Sequence, residues 1–60
     1  MTYIVKSGDT LSTIAQSVYR NHNMWSVIYD ANIHIIGGNP DRITPGMKLH
    51  IPEITIPVFW

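Results

Sequence analysis

Tyr3-Ile4-Val5-Lys6-Ser7-Gly8-Asp9-Thr10-Leu11-Ser12-Thr13-Ile14-Ala15 is the stretch from which the fold is read. Its first part, with Thr2, is β-branched and aromatic and stops at Ser7-Gly8, which predicts a short strand over 2–6. Tyr3 and Val5 then share one face and Ile4 takes the other. Ser7-Gly8-Asp9-Thr10 is a turn, and Asp9 or Thr10 supplies a side-chain oxygen for the free N–H groups of a helix start. Leu11, Ile14, Ala15, Val18 and Tyr19 follow at i, i+3, i+4, i+7 and i+8, one apolar stripe of a helix over about 10–20.

Outward from there, Arg20-Asn21-His22-Asn23 is a polar break whose last residue is a second cap candidate. Met24, Trp25, Ile28, Tyr29 and Ala31 return to helical spacing, which predicts a helix over about 24–32 ending at Asn32. Residues 33–46 carry Gly37-Gly38, Asn39-Pro40 and Pro45-Gly46, so they are read as a loop, with Ile33, Ile35, Ile36 and Ile43 packing on the core. Met47-Lys48-Leu49-His50-Ile51 alternates, predicting a strand with Met47, Leu49 and Ile51 inward and Lys48 and His50 outward. Two strands separated by two helices bury their apolar faces when the strands pair and the helices cover one side of the sheet, since a two-stranded sheet alone is marginal in water. The spacing leaves the strand direction open.

The whole chain has 60 residues, room for one domain and one small core. Without cysteine there is neither a disulfide nor a Cys/His zinc site. Four basic and four acidic residues cancel, and Lys6, Arg20, Arg42 and Lys48 are scattered, so neither a nucleic-acid face nor a patch for an anionic membrane is expected. No run approaches the roughly 20 apolar residues of a spanning helix, and the opening residues lack the basic and apolar regions of a secretory signal. His22, His34 and His50 suit no helix-borne metal site. Asp9, Asp30, Asp41 and Glu53 are the only acids, and a glycosidase needs two carboxylates roughly 5–9.5 Å apart across a cleft. No cofactor, metal or catalytic activity is expected.

Three separated motifs resemble the LysM domain family. They are the opening stretch with its Gly8-Asp9-Thr10-Leu11 turn, Trp25-Ser26-Val27-Ile28-Tyr29-Asp30-Ala31-Asn32, and Ile43-Thr44-Pro45-Gly46-Met47-Lys48-Leu49-His50-Ile51-Pro52. The resemblance covers residues 3–52 and assigns a LysM domain to 1–52. It implies an α+β, βααβ fold with a two-stranded antiparallel sheet covered on one face by two helices. LysM domains bind N-acetylglucosamine polymers, peptidoglycan and chitin. By resemblance the groove has Gly8, Asp9, Thr10 and Leu11 on one wall and Asn32, Ile33, His34 and Ile35 around the other. Trp25 is a candidate for stacking on a sugar, but its phase beside Ile28 and Ala31 favours core or half-buried packing, as for Tyr19 and Tyr29; Leu11 serves both core and groove.

Residues 53–60, Glu-Ile-Thr-Ile-Pro-Val-Phe-Trp, form an apolar C-terminal extension. Pro57 excludes a fully paired central strand. Ile54, Ile56, Val58, Phe59 and Trp60 either fold back over the sheet or dock onto a partner, and the partner is favoured. With the solitary module and the long 33–45 loop, this resembles the small LysM proteins of phage tails and contractile injection machines. The expected role is therefore a structural adaptor joined to other proteins of an assembly, in a virion tail or a particle assembled in the cytoplasm. The alternative is a glycan-binding module, at a cell wall if the chain is a fragment.

Overall fold

The computed structural model describes residues 1–53, and there the two β-rich ends of that span meet. Strand β1 (Thr2–Ile4) runs antiparallel to β2 (Lys48–His50), with Thr2 opposite His50, Tyr3 opposite Leu49 and Ile4 opposite Lys48. Hydrogen bonds continue the pairing beyond the strands: the Ile51 N–H donates to the Met1 carbonyl (2.7 Å), that of Val5 to Met47 (2.9 Å), and that of Gly46 to Val5 (2.8 Å). The period of two puts Val5, Leu49 and Ile51 into the core and leaves Ile4, Lys48 and His50 exposed. Antiparallel pairing, which the spacing left open, agrees with the resemblance.

Helix α1 (Leu11–Tyr19) starts at Thr10. The Thr10 hydroxyl accepts from the Thr13 N–H (3.2 Å), and the Thr13 hydroxyl accepts from the Thr10 N–H (2.9 Å), a reciprocal cap with threonine at both positions. The cap is thus Thr10. Asp9 does something else: its Oδ2 accepts from the Lys6 N–H (2.9 Å) and the Tyr3 hydroxyl (2.8 Å), closing the turn in which Gly8 takes φ +86°. Leu11, Ile14 and Ala15 of the predicted stripe are buried, and Val18 and Tyr19 pack at the core's edge. The Tyr19 hydroxyl donates to the Pro52 carbonyl (2.6 Å), fastening the end of the second strand segment to α1.

The second helix falls where it is expected, with a further helical turn on each side of it. A 3-10 turn, His22–Met24, precedes α2 (Trp25–Ala31), so helical winding begins upstream and the capping side chain is Asn21, not Asn23. The Asn21 Oδ1 accepts from the Asn23 N–H at 3.0 Å. Beyond Asn32 the segment read as loop makes one further helical turn, α3 (Ile33–Ile36), ended by Gly37 at φ +85°. Three isoleucines are poor helix formers. The turn forms because the Asn32 carbonyl accepts from both Ile35 and Ile36 (2.9 Å each) and because it buries Ile36; Ile33 and Ile35 stay exposed.

Asn32 itself is fully buried. Its Nδ2 donates to the carbonyls of Ile28 and His50, and its Oδ1 accepts from the His50 N–H, all at 2.8 Å. One amide therefore joins the end of α2 to the edge of β2. Asn32→Ala leaves the His50 and Ile28 backbone groups without partners and should cost about 2–4 kcal/mol, since each buried polar group left unpaired costs about 1–3 kcal/mol. Urea denaturation should show a lower midpoint at an unchanged m value; a loss under about 0.5 kcal/mol, within the range of an ordinary surface change, would refute the bridging role.

Candidate functional site

The ends of these elements enclose a groove of about 260 Å³. Thr10, Leu11 and Ser12 at the start of α1 form one wall, Trp25 at the start of α2 lies between, and Pro40 and Asp41 from the α3–β2 connection form the other. Each wall is held by a local device. The reciprocal threonine cap fixes the α1 side. On the far side the Asn39 Oδ1 accepts from the Asp41 N–H (2.9 Å) and the Asn39 carbonyl from Arg42 (3.0 Å), a side-chain-closed turn that sets Pro40 and Asp41 in place.

Trp25 is 38% exposed, outside the core, where its phase allows core or half-buried packing. Its ring lies 6.4 Å from that of Tyr29, tilted by 48°. Such a tilted pair is a favourable aromatic geometry. The Tyr29 hydroxyl donates to the Gly37 carbonyl, tying the aromatic pair to the end of α3. The indole therefore has the Tyr29 ring as a neighbour and is partly open to solvent. Leu11 belongs to both core and groove, at 4% exposure.

Of the residues the sequence pointed to, Thr10 and Leu11 line the groove. Gly8 is exposed in the preceding turn and Asp9 is spent on closing it. Asn32 is committed to the β2 edge, and Ile33, His34 and Ile35 are exposed on α3, outside the groove lining. Ser12, Pro40 and Asp41 are not among the residues the sequence points to, and for Trp25 the sequence favours packing over sugar stacking. The Asn39-Pro40-Asp41 turn signal and the position of Trp25 at a helix start were visible, but only the packing puts them together. Ile54, Ile56, Val58, Phe59 and Trp60, expected to bind a partner, lie outside the described residues. A second, more open hollow lies between α1 and the 3-10 turn, lined by Ser12, Thr13, Gln16 and His22.

An indole face, a leucine edge, two hydroxyls and a carboxylate make an open groove that offers apolar contact together with hydrogen bonds. It is smaller than the roughly 300–1,000 Å³ of pockets that enclose a drug-sized ligand. Among the described residues no cluster of three or more His, Cys, Asp or Glu could hold a metal ion, and no helix is long and apolar enough to cross a membrane.

A sequence model of the LysM domain matches residues 3–52. The chain is also 51% identical over 51 residues to a protein of Escherichia coli named potassium binding protein Kbp. That match takes in 85% of this chain and 34% of the relative, so the chain spans about a third of the relative's length.

The turn before the groove carries a pH dependence. The Lys6 N–H and then the Tyr3 hydroxyl hold the Asp9 carboxyl below its ordinary pKa, and the same bond raises the Tyr3 phenol. A carboxyl with a lowered folded-state pKa contributes stability that is present above its ordinary range and lost as pH falls through the lowered value. Thermal midpoints followed from neutral to acid pH should fall less steeply for Asp9→Asn than for the native chain. Parallel profiles would show that Asp9 contributes nothing to acid sensitivity. On the alkaline side Tyr3, and Tyr19 raised by burial, lose their contribution as pH climbs through their raised pKa values.

Proposed function

We propose that this chain, which belongs to the LysM domain family, is a non-enzymatic binding module whose groove takes N-acetylglucosamine polymers of the peptidoglycan or chitin type. The observation that carries the reading is the partly exposed Trp25 beside Leu11 in a groove whose lining also includes the hydroxyl residues Thr10 and Ser12. A sugar ring presents C–H groups to an indole face, and an acetamido group offers a methyl to apolar side chains and an amide to hydroxyls. A groove this short makes few contacts per sugar. Strength then comes from running along a polymer or from several modules acting together.

The second reading is the structural adaptor, in a phage tail baseplate or contractile injection machine. It rests on the apolar run from Ile54 to Trp60. Neither the family match nor the Escherichia coli relative adds to it, and so it stands behind the glycan reading. The relative's name brings in potassium, although the shared part is about a third of that protein.

One titration separates these. Amide spectra of the isotope-labelled chain should show saturable shifts at Thr10–Ser12, Trp25 and Asp41 with N-acetylglucosamine hexamer, and weaker ones with the tetramer. Trp25→Ala should weaken hexamer binding by about tenfold, equivalent to about 1.4 kcal/mol. Removing residues 53–60 should leave it unchanged. No shift at about 1 mM sugar from a folded sample, the weak limit of a useful affinity, would end the glycan reading and pass it to the tail. Shifts produced by potassium but not by sodium chloride would favour a cation instead.

A further inference from the structure

The groove contains a charge that the fold does not use. Asp9 is bound by Lys6 and Tyr3, whereas the Asp41 carboxylate accepts no hydrogen bond among the described residues; only its backbone N–H is engaged, by Asn39. The Asn39 turn nonetheless holds Asp41 at the groove wall, exposed and opposite Thr10 and Ser12. Arg42, the next residue, does not line the groove. Among the described residues the groove thus combines an apolar part, Leu11 and Trp25, with one negative charge that has no hydrogen-bond partner.

A fully acetylated glucosamine polymer satisfies the first part and not the second. It carries no cation, so laid along the groove it gives the Asp41 carboxylate no charged partner. A polymer with some acetyl groups removed offers both: an acetyl methyl for Leu11 and Trp25, and on a neighbouring sugar an ammonium for Asp41. Hydrogen bonds between ionised groups are stronger than neutral ones. Resting on the glycan reading above, we infer that Asp41 is a specificity-determining residue that makes the groove prefer partly de-N-acetylated glucosamine polymers over fully acetylated ones. The same charge disfavours glycans that place a carboxylate at that wall, because selectivity comes from repulsion as well as attraction.

The pair is solvent-exposed, so the preference is modest, about two- to fivefold. The test compares glucosamine hexamers of full and partial N-acetylation by calorimetric titration, at mildly acidic pH where the free amine holds its proton. The native chain should bind the partly acetylated hexamer about two- to fivefold more tightly, and the preference should shrink as salt screens the pair. In Asp41→Asn the ratio should fall to about one, with an amide fingerprint otherwise that of the native chain. A native ratio of one or less, with the acetylated hexamer still binding, overturns the inference and leaves the glycan reading intact. A preference that survives in Asp41→Asn also overturns it, by placing the selectivity elsewhere. If neither hexamer binds, the glycan reading fails and the inference falls with it.

Discussion

The structure depends on a primary amide spending its hydrogen bonds across 18 residues of chain. In an antiparallel pair the backbone groups of alternate residues point away from the partner strand. His50, opposite Thr2, is such a residue, and its N–H and C=O turn to the outer edge of β2. There the Asn32 side chain meets both, acting as one residue of a third strand. Its second Nδ2 hydrogen goes to the Ile28 carbonyl at the end of α2. A two-stranded sheet is marginal in water on its own. Here one edge is covered by the helix terminus that must also pack on it, and the sheet and α2 are fixed to each other by direction as well as by apolar contact.

The same residue sets the path of the chain toward the groove. The Asn32 carbonyl starts α3, Ile36 enters the core, and Gly37 ends the turn at a φ few other residues tolerate. From there the connection crosses back past the starts of α1 and α2, where the Asn39 turn holds Pro40 and Asp41. The groove walls are loops and helix starts carried on a rigid support, the usual division between residues that bind and residues that hold. Tyr29 links the two layers, packed against Trp25 on one side and bonded to Gly37 on the other.

A chain this short without cysteine has little apolar surface to bury, and its core is correspondingly small: Val5, Leu11, Ile14, Ala15, Ile28, Ile36, Leu49 and Ile51. Polar closures supplement it. Tyr19 on Pro52, Asp9 on Tyr3 and Lys6, and the paired threonines each tie segments that apolar contact alone would leave loose. None of these side chains lies at the centre of the groove's second wall, where Asp41 keeps its carboxylate free among the described residues. Asp9 thus helps to build the domain, whereas Asp41 lines the groove.

Local periodicity determined much of this protein. Leu11, Ile14 and Ala15 at helical spacing, and Val5, Leu49 and Ile51 at strand spacing, become the core in the places expected, because burial of a face follows from its own residues. The LysM likeness read from three motifs is matched by the family over residues 3–52. What the sequence alone could not decide involves partners distant in the chain. Asn32 resembles an ordinary helix end until His50 arrives beside it, and the phase of Trp25 leaves core and half-buried packing open until the tertiary structure leaves it partly exposed. Asp9 passes for a cap, although Tyr3 and Lys6 claim it. Pro40 and Asp41 carry a turn signal and no sign that the turn faces Trp25. Hydrophobic pattern is a property of neighbours along the chain, whereas a hydrogen bond or a groove wall needs two segments brought together, and only the tertiary structure does that.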